Sequence, residues 1–275
     1  MRAARGSRGG MMVAALVLSG CTWLEFSPNQ TWVPPAERQL TARSLARLAA
    51  LAATDDTVRF VLVGDAQRFY DETEAFVRSV NQQRGIDFVL LAGDITDFGL
   101  SREMRWVHRR LGRLRVPYLT VVGNHDQLAN GRSAYQRVFG PLNYSFVYGA
   151  TRFVLLDTNS REYGFGGRVP DLGWLRTQLA DTAGTRRQVV VCHVPPTDPD
   201  FDPALRHPSA ALLGASPQLV LHLAGHVHRF SVRQPLPGGV PFLTCYSLRK
   251  QRYLILSVWG ARRQFQLQTV TYASR

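Results

Sequence analysis

From residue 57 onward, short apolar segments of the chain alternate with amphipathic ones. Three runs rich in β-branched and aromatic residues have the length of a strand: 58–63, 86–92 and 118–122. The intervening segments 71–84 and 101–114 carry apolar residues at helical spacing. Strand, helix, strand, helix, strand at these intervals predicts βαβ units around a sheet with parallel strands.

The second half of the chain is richer in strands. Leucines at helical spacing also predict an amphipathic helix over 37–53, and Asp171 is placed to cap a helix over 171–179. The predicted fold class is α/β: two facing mixed sheets with helices outside, a four-layer α-β-β-α sandwich. The further strands are predicted at 144–148, 153–156, 188–192, 219–224, 242–245, 253–258 and 265–271.

The first 20 residues have the organisation of an export signal. Arginines precede an apolar stretch at 11–18, which is too short to cross about 30 Å of hydrocarbon. The segment 18–21, Leu-Ser-Gly-Cys, resembles the bacterial lipobox, in which the Cys21 thiol is lipidated and begins the mature chain. We therefore predict a signal peptide at 1–20, a lipid tether with its helix at 21–56, and a location on the cell envelope facing the periplasm. Thr22 favours the outer membrane by resemblance to lipoprotein sorting in enteric bacteria.

Charge and cysteine content change this picture only slightly. The formal net charge is +13, but the arginines are spread along the chain without interleaved stacking aromatics, which disfavours nucleic acid as a partner. A basic protein favours anionic substrates and anionic membrane surfaces. If Cys21 is lipidated, Cys192 and Cys245 remain, and they either pair in an oxidising compartment or stay as two buried thiols.

The chemistry is concentrated where strands end. Five predicted strands end in glycine followed by aspartate or asparagine, or directly in histidine. Because the carboxyl ends of strands in α/β sheets form the ligand crevice, these side chains should converge from distant parts of the chain. Carboxylate, amide oxygen and imidazole together suit divalent metals such as Mn, Fe or Zn. The converging residues are Asp65, Asp94, Asn124, His193, His226 and His228.

Five motifs in this order resemble those of the calcineurin-like metallophosphoesterases. They are Gly64-Asp65-Ala66-Gln67, Gly93-Asp94-Ile95-Thr96-Asp97, Gly123-Asn124-His125-Asp126, Val191-Cys192-His193 and Gly225-His226-Val227-His228. The resemblance implies the metallo-dependent phosphatase fold, with residues 57–275 as the catalytic domain. It further implies two divalent metal ions and hydrolysis of a phosphate mono- or diester by a hydroxide that bridges them.

The same resemblance assigns a role to each motif residue. The first metal would be bound by Asp65, Gln67, Asp94 and His228. The second would be bound by Asp94 as the bridge, with Asn124, His193 and His226. His125 would face the oxygen of the leaving group and donate a proton or hydrogen bond to it, and Asp126 would orient its ring.

Gln67 departs from the family pattern, which has histidine at this position in most members. Three interpretations stay open. Gln67 ligates through its amide oxygen and shifts the preference toward harder ions such as Mn or Mg; or the first site is weak and fills only at high metal concentration; or the site is degenerate. The last interpretation leads to the alternative function, a catalytically weak, lipid-anchored binding protein of the cell envelope on the same fold.

Other polar residues carry weaker predictions. The loop 160–170 follows a strand and contains Arg161 and Arg168, which are candidates for binding a phosphate or an anionic head group. Asp97 either supports a ligand or begins a turn. His222 lies inside a predicted strand, out of phase with the motif, and is expected to be a packed core histidine.

Overall fold

Two mixed β-sheets account for all strands in the residues that the computed structural model describes, 27–51, 56–235, 239–260 and 264–273. The predicted signal peptide and Cys21 lie outside these residues. The strands are β1 Val58–Val63, β2 Phe88–Leu91, β3 Tyr118–Thr120, β4 Tyr144–Tyr148, β5 Thr151–Leu156, β6 Arg187–Cys192, β7 Leu219–Ala224, β8 Ser231–Arg233, β9 Phe242–Thr244, β10 Arg252–Trp259 and β11 Gln264–Thr271.

Helices are attached to both sheets. The α-helices are α1 Leu40–Leu51, α2 Tyr70–Val80, α3 Ser101–Leu111, α4 Gly131–Val138, α5 Leu172–Ala180 and α6 Pro203–Ala215. Short 3₁₀ turns occur at Pro35–Glu37, His125–Gln127, Ser160–Tyr163 and Leu248–Lys250. Among these described segments, none is long and apolar enough to cross a membrane.

Strand order places several carboxyl ends side by side. The first sheet has the order β11-β10-β1-β2-β3, and β1, β2 and β3 run parallel. The second has the order β4-β5-β6-β7-β9-β8, and its four central strands, β5, β6, β7 and β9, run parallel. In each sheet the parallel strands therefore deliver the loops that follow them to the same edge.

Alternation along each strand builds the core between the sheets. In β1, Phe60 and Leu62 face the second sheet, whereas Val61 and Val63 pack in a separate apolar cluster with the helices. The Phe60 ring stacks on Phe88 at a centroid distance of 5.5 Å and meets Phe153 edge-on at 5.3 Å. These rings fill the layer between the two sheets.

Helices cover the outer faces of the sandwich. Buried residues of α2, α3 and α4 form one apolar cluster with the first sheet, and buried residues of α5 and α6 form another with the second. The predicted four-layer α-β-β-α architecture is therefore confirmed. The predicted amphipathic helix is α1, where Leu40 and Leu48 are buried and Arg47 donates to the carbonyl oxygen of Arg115.

Two helices were missed by the sequence pattern. Segment 203–215 contains Pro203 and Pro208, which favour a loop over a helix interior. The helix α6 forms all the same, because Pro203 occupies the first turn and the Asp202 carboxylate accepts the Ala204 amide. The short helix α4 was also not predicted.

A buried arginine ties the two sheets together. The Arg187 guanidinium has no exposed surface, and it donates to both carboxylate oxygens of Asp56, each at 3.0 Å. It also donates to the carbonyl oxygens of Gly149 and Gly260 and to the Thr151 hydroxyl. Asp56 and Gly260 adjoin strands of the first sheet, whereas Arg187 begins β6 of the second.

The two cysteines in the described residues do not form a disulfide. Cys192 and Cys245 are free and buried, which is the second of the two states that their apolar surroundings predicted. Burial raises the pKa of the Cys192 thiol to about 12, so this group stays protonated near neutral pH.

Candidate metal centre

Carboxylates and imidazoles from both sheets meet at one edge of the sandwich. Candidate ligand atoms of Asp65, Asp94 and His228 all lie within 4.8 Å of one another. Asp65 is fully buried, and neither of its carboxylate oxygens accepts a hydrogen bond, although His228 Nε2 lies 3.1 Å from Oδ1. A buried carboxylate without a donor is unfavourable unless a cation balances it. This cluster therefore has the donor set and the unsatisfied charge of a divalent metal site.

A second group of donors adjoins the first. Asn124 Oδ1 lies 2.9 Å from His193 Nε2 and 3.2 Å from His226 Nδ1. His193 Nε2 also lies 3.3 Å from Asp94 Oδ1, so Asp94 stands between the two groups. The structure thus brings all six strand-end residues into one site, with Asp94 in the position of a bridge.

The tautomer of His193 is fixed by the backbone. Its Nδ1 lies 2.7 Å from the carbonyl oxygen of Ala92, which can only accept a hydrogen bond, so Nδ1 carries the hydrogen. In the neutral ring the lone pair is then on Nε2, where it can bind a metal ion. That Nε2 faces the oxygens of Asn124 and Asp94. Burial alone lowers the pKa of His193, but the carboxylates of Asp94 and Asp65 outweigh burial and raise the pKa to about 10. A positive charge is therefore strongly favoured at this point, as either a proton or a metal ion.

The backbone is strained at most of the predicted ligands. Positive φ angles occur at Asp65 (52°), Gln67 (27°), Asp94 (52°), His226 (67°) and His228 (55°). A non-glycine residue in this region costs about 1–3 kcal/mol, and such residues cluster where function over-determines the geometry. Of the ten non-glycine residues with positive φ among the described residues, these are five. Strain is thus concentrated at the metal-type donors.

Glycines before the ligands allow unusually close packing. A Cβ atom on Gly123 would lie 2.1 Å from the Asp94 amide nitrogen, and one on Gly93 would lie 2.4 Å from His193 Nδ1. Gly93 also has a φ of +85°. Gly93 and Gly123 are therefore required by the close approach of the loops that follow β2, β3 and β6 at the site.

Gln67 lies inside the first cluster. It is 6% exposed, and its amide Nε2 donates to Asp94 Oδ2 at 3.2 Å. The side chain is therefore within reach of the ions that Asp94 would bridge. A half-turn of the amide group would direct Oε1, the atom able to ligate, toward the same place.

Asp126 has a different role from the one predicted. Its carboxylate is fully buried and accepts from the amides of Gly123, Ile95 and Thr96 and from the Thr96 hydroxyl. The ring of His125 instead has its Nδ1 2.9 Å from the carbonyl oxygen of Asp97. Asp126 therefore joins the loops that carry Asp94 and Asn124, and Asp97 orients the candidate proton donor.

Asp97 forms one contact through its backbone and another through its side chain. The carbonyl oxygen fixes the His125 ring, while the carboxylate pairs with Arg68 at 2.7 Å. His222, by contrast, is a core residue, 2% exposed and stacked on Phe242 at 4.2 Å between ring centroids. Burial lowers the pKa of His222 to about 3, so it stays neutral.

Two aspartates at the site were missed by the sequence analysis. His226 Nε2 lies 3.5 Å from Asp198 Oδ1 and 3.5 Å from Asp200 Oδ2, and the three donor atoms form a compact group. Both aspartates lie in the loop that follows β6 and His193. The only sequence indication was their position a few residues after a strand-terminal histidine.

The two candidate substrate-binding arginines have different surroundings. Arg161 Nη1 pairs with Asp200 at 3.1 Å, which places it at the rim near His226. Arg168 lines a separate cavity of about 330 Å³, together with Arg132, Asp157 and Tyr163. No predicted ligand lines that cavity, so its surroundings give Arg168 no role at the metal-type donors.

The fold and the donor set are those of an α-β-β-α protein whose clustered carboxylates, amide and imidazoles suit two divalent metal ions. A sequence model of the calcineurin-like phosphoesterases matches residues 58–230, more than half of the chain. The chain belongs to the calcineurin-like phosphoesterase family.

Curated relatives are phosphodiesterases by name. The chain is 30% identical over 185 residues to glycerophosphodiester phosphodiesterase GpdQ of Enterobacter lignolyticus, a match that covers 60% of this chain and 66% of that protein. It is 29% identical over 221 residues to 3',5'-cyclic adenosine monophosphate phosphodiesterase CpdA of Pseudomonas aeruginosa, covering 70% and 78%. The chain thus spans just under two thirds of the length of the first of these relatives.

Solved structures share the fold at low sequence identity. A dimetal phosphatase from Danio rerio superposes with a TM-score of 0.60 at 16% identity, covering 78% of this chain and 99% of that one. A purple acid phosphatase from yellow lupin (Lupinus luteus) gives a TM-score of 0.56 at 14% identity, covering 80% and 55%. These similarities establish the sandwich architecture and nothing more specific.

Proposed function

We propose that this protein is a metal-dependent phosphoesterase that hydrolyses phosphodiesters. The observation that carries the proposal is the fully buried Asp65 carboxylate, whose side-chain neighbour at ion-pair distance is His228 Nε2, at 3.1 Å, and which lies within 4.8 Å of donor atoms on both Asp94 and His228. The family supports phosphoric ester hydrolysis, and the names of the curated relatives favour diesters over monoesters.

The proposed ligands form two sets that share Asp94. Asp65, Gln67, Asp94 and His228 hold the first ion, and Asp94, Asn124, His193 and His226 hold the second. The ions, when bound, polarise the phosphoryl oxygens and lower the pKa of water for attack on phosphorus. The chain keeps His193 in the correct tautomer and holds the donors rigidly in advance.

His125 is the proposed donor to the leaving group. Its backbone amide donates to Asp94 Oδ1, and its Nδ1 donates to the Asp97 carbonyl oxygen, so the ring is held from two directions. Nε2 is left for the substrate. In the protonated ring this nitrogen donates a proton to the departing alkoxide.

Hydrolysis of bis(p-nitrophenyl) phosphate by the full chain tests the proposal, with Mn²⁺, Zn²⁺ and Mg²⁺ supplied separately. We expect turnover that a chelator abolishes, and a loss of at least 100-fold in Asp94→Asn. Calorimetric metal titration of the same variant should show weakened binding, which is a readout independent of turnover. Metal binding by the wild-type chain without turnover of any ester would favour the alternative, a lipid-anchored binding protein.

We further propose that the protein is anchored to the cell envelope by lipid on Cys21 and faces the periplasm. The support is the amino-acid sequence of residues 1–22, and these residues lie outside the part of the chain that the structure describes. Metabolic labelling with a clickable palmitate analogue should mark the wild-type chain, and Cys21→Ser should abolish the label. Cys245→Ser is the control, and label retained in Cys21→Ser would contradict the anchor.

A further inference from the structure

A basic cavity adjoins the candidate metal centre. It encloses about 500 Å³ and includes His228, a predicted ligand of the first ion, in its wall. The remaining wall contains three cationic side chains, one aromatic ring and one apolar side chain. These are Arg229, Lys250, Arg252, Tyr246 and Val227.

The positive charges of this cavity are not neutralised locally. Within residues 27–51, 56–235, 239–260 and 264–273, no carboxylate lies at ion-pair distance from Arg229, Lys250 or Arg252. Three unpaired cations around one concavity give a strongly positive potential there.

Backbone contacts fix this cavity relative to the metal-type donors. Gly64, which precedes Asp65, forms an isolated parallel bridge with Ser247, and the Ser247 hydroxyl donates to the Asp65 carbonyl oxygen. The 3₁₀ turn Leu248–Lys250 follows at once, and Arg252 begins β10. The Arg252 guanidinium also lies over the Tyr246 ring, 5.9 Å from its centroid. Movement of this wall relative to Asp65 is therefore restricted.

The opposite side of the centre has the reverse charge. Asp198 and Asp200 lie beside His226. Arg161 pairs with the Asp200 carboxylate, and Arg206 donates to the backbone carbonyl oxygen of Asp198. A substrate that carries a second negative charge would be repelled on that side and attracted on the His228 side. Charge therefore sets one orientation for such a substrate.

We propose that the cavity beside His228 binds a second anionic group of the substrate, so that preferred substrates are phosphodiesters bearing an additional carboxylate or phosphate. This inference rests on the proposed phosphodiesterase function and narrows its substrate class. Arg229, Lys250 and Arg252 supply the charge-assisted hydrogen bonds, and these residues determine specificity without taking part in the chemical step.

A matched series of substrates tests this proposal. Each pair shares p-nitrophenol as leaving group and differs only at the end of the other ester chain, a carboxylate against a methyl group, with chains of three to six carbons. We expect the wild-type full chain to show a KM about three- to tenfold lower for the best carboxylate than for its alkyl counterpart, with similar kcat.

Substitutions locate the effect. Lys250→Gln and Arg252→Gln should each remove most of the preference for the carboxylate while leaving kcat and KM for the alkyl diester unchanged. Arg176→Gln, an exposed arginine on α5 that does not line the cavity, is the matched control and should keep the preference. Equal KM values for both members of every pair in the wild type, or a preference that survives in the Lys250→Gln/Arg252→Gln double variant, would overturn the proposal.

A second readout does not depend on turnover. Lys250 is the only lysine in the chain, so acetylation of its amine is followed by mass spectrometry of a single peptide. Non-hydrolysable phosphonates of the same pairs are used as ligands. The carboxylate analogue should slow acetylation severalfold and the alkyl analogue should not. Hydrolysis of the alkyl diester with no protection by either analogue would reject the anion-binding role of the cavity and leave the proposed phosphodiesterase function standing. Protection by the carboxylate analogue without hydrolysis of any diester would reject the phosphodiesterase function and leave the anion-binding role standing.

Discussion

The two ring nitrogens of His226 face different kinds of group. Nδ1 lies 3.2 Å from Asn124 Oδ1, among the metal-type donors, whereas Nε2 lies 3.5 Å from Asp198 and from Asp200. Metal-binding histidines commonly donate their second nitrogen to a carboxylate, which fixes the tautomer and increases the basicity of the ligating nitrogen. We therefore expect Asp198 and Asp200 to position the His226 ring.

Neutralising this pair should weaken metal binding. In the double variant Asp198→Asn/Asp200→Asn, His226 Nε2 loses the two negative charges that face it at 3.5 Å. We expect the affinity for the second ion to fall about 10- to 100-fold. Calorimetric titration with Mn²⁺ measures this directly. Asp171→Asn is the control, because asparagine also caps α5 and the residue lies outside the site. An unchanged affinity in the double variant would contradict the positioning role.

Gln67, the proposed ligand that departs from histidine, provides a test of metal preference at the first cluster. Its amide is a neutral and harder donor than imidazole, and it already contacts Asp94. We expect Gln67→His to increase the affinity for Zn²⁺ relative to Mn²⁺ by about tenfold or more, since imidazole suits zinc. Competition between the two ions, followed by bound-metal analysis, measures the ratio. If the ratio does not move, Gln67 is not a ligand.

At the level of elements, sequence patterns predicted those features that depend on local chemistry. The strands β4 and β7 were predicted at their observed bounds, and the glycine-containing strand ends did converge. The partner of His125 was missed because it is a backbone carbonyl, which every residue carries. Asp198 and Asp200 were missed because acids in a proline-rich loop have many structural roles. Helix α6 was missed because Pro208 lies inside it, which obscured the start signal given by Asp202 and Pro203.

The loop after β3 should tolerate no side chain at Gly123. A Cβ atom there would lie 2.1 Å from the Asp94 amide and 2.2 Å from Asp94 Oδ1, so Gly123→Ala must displace Asp94, the proposed bridging ligand. We expect activity on bis(p-nitrophenyl) phosphate to fall at least 100-fold, with weaker metal binding by calorimetry.

Gly214→Ala provides the matched control for this substitution. Gly214 lies in α6 and a Cβ atom there would meet nothing within 4 Å, so alanine should keep full activity and raise stability by about 0.4–1 kcal/mol. Gly123→Ala with wild-type metal affinity would show that the loop relaxes around the methyl group.

For the whole molecule, the site and the Arg187 contacts occupy opposite ends of the sandwich. Asp65 and His193 follow the carboxyl ends of β1 and β6, whereas Asp56 precedes β1 and Arg187 begins β6. The end with the metal-type donors contains the strained backbone and the buried Asp65 carboxylate. At the other end, the buried Arg187 guanidinium connects the two sheets through its hydrogen bonds. Stability lost at the Arg187 end should leave the geometry of the metal centre unchanged.

Removal of the Asp56 carboxylate separates the two ends experimentally. Asp56→Ala leaves the buried Arg187 guanidinium without its counter-charge, and we expect a loss of about 2 kcal/mol in unfolding free energy, less than for a fully buried pair because Asp56 is partly exposed. For a chain of this size the melting temperature should fall by about 4–8 °C, with activity per folded molecule unchanged. Asp71→Ala, which removes an exposed carboxylate of α2, should shift it far less.

The pH dependence of that loss has a definite sign. Hydrogen bonds from Arg187 lower the pKa of Asp56 in the folded state, so its contribution to stability is complete above the unfolded pKa and disappears as the pH falls through the lower folded value. The difference in melting temperature between the wild type and Asp56→Ala should therefore be constant near neutral pH and shrink in acid. A difference that stays constant down to the acid limit of folding would mean that the charge of the Asp56 carboxylate is not what stabilises the contact with Arg187.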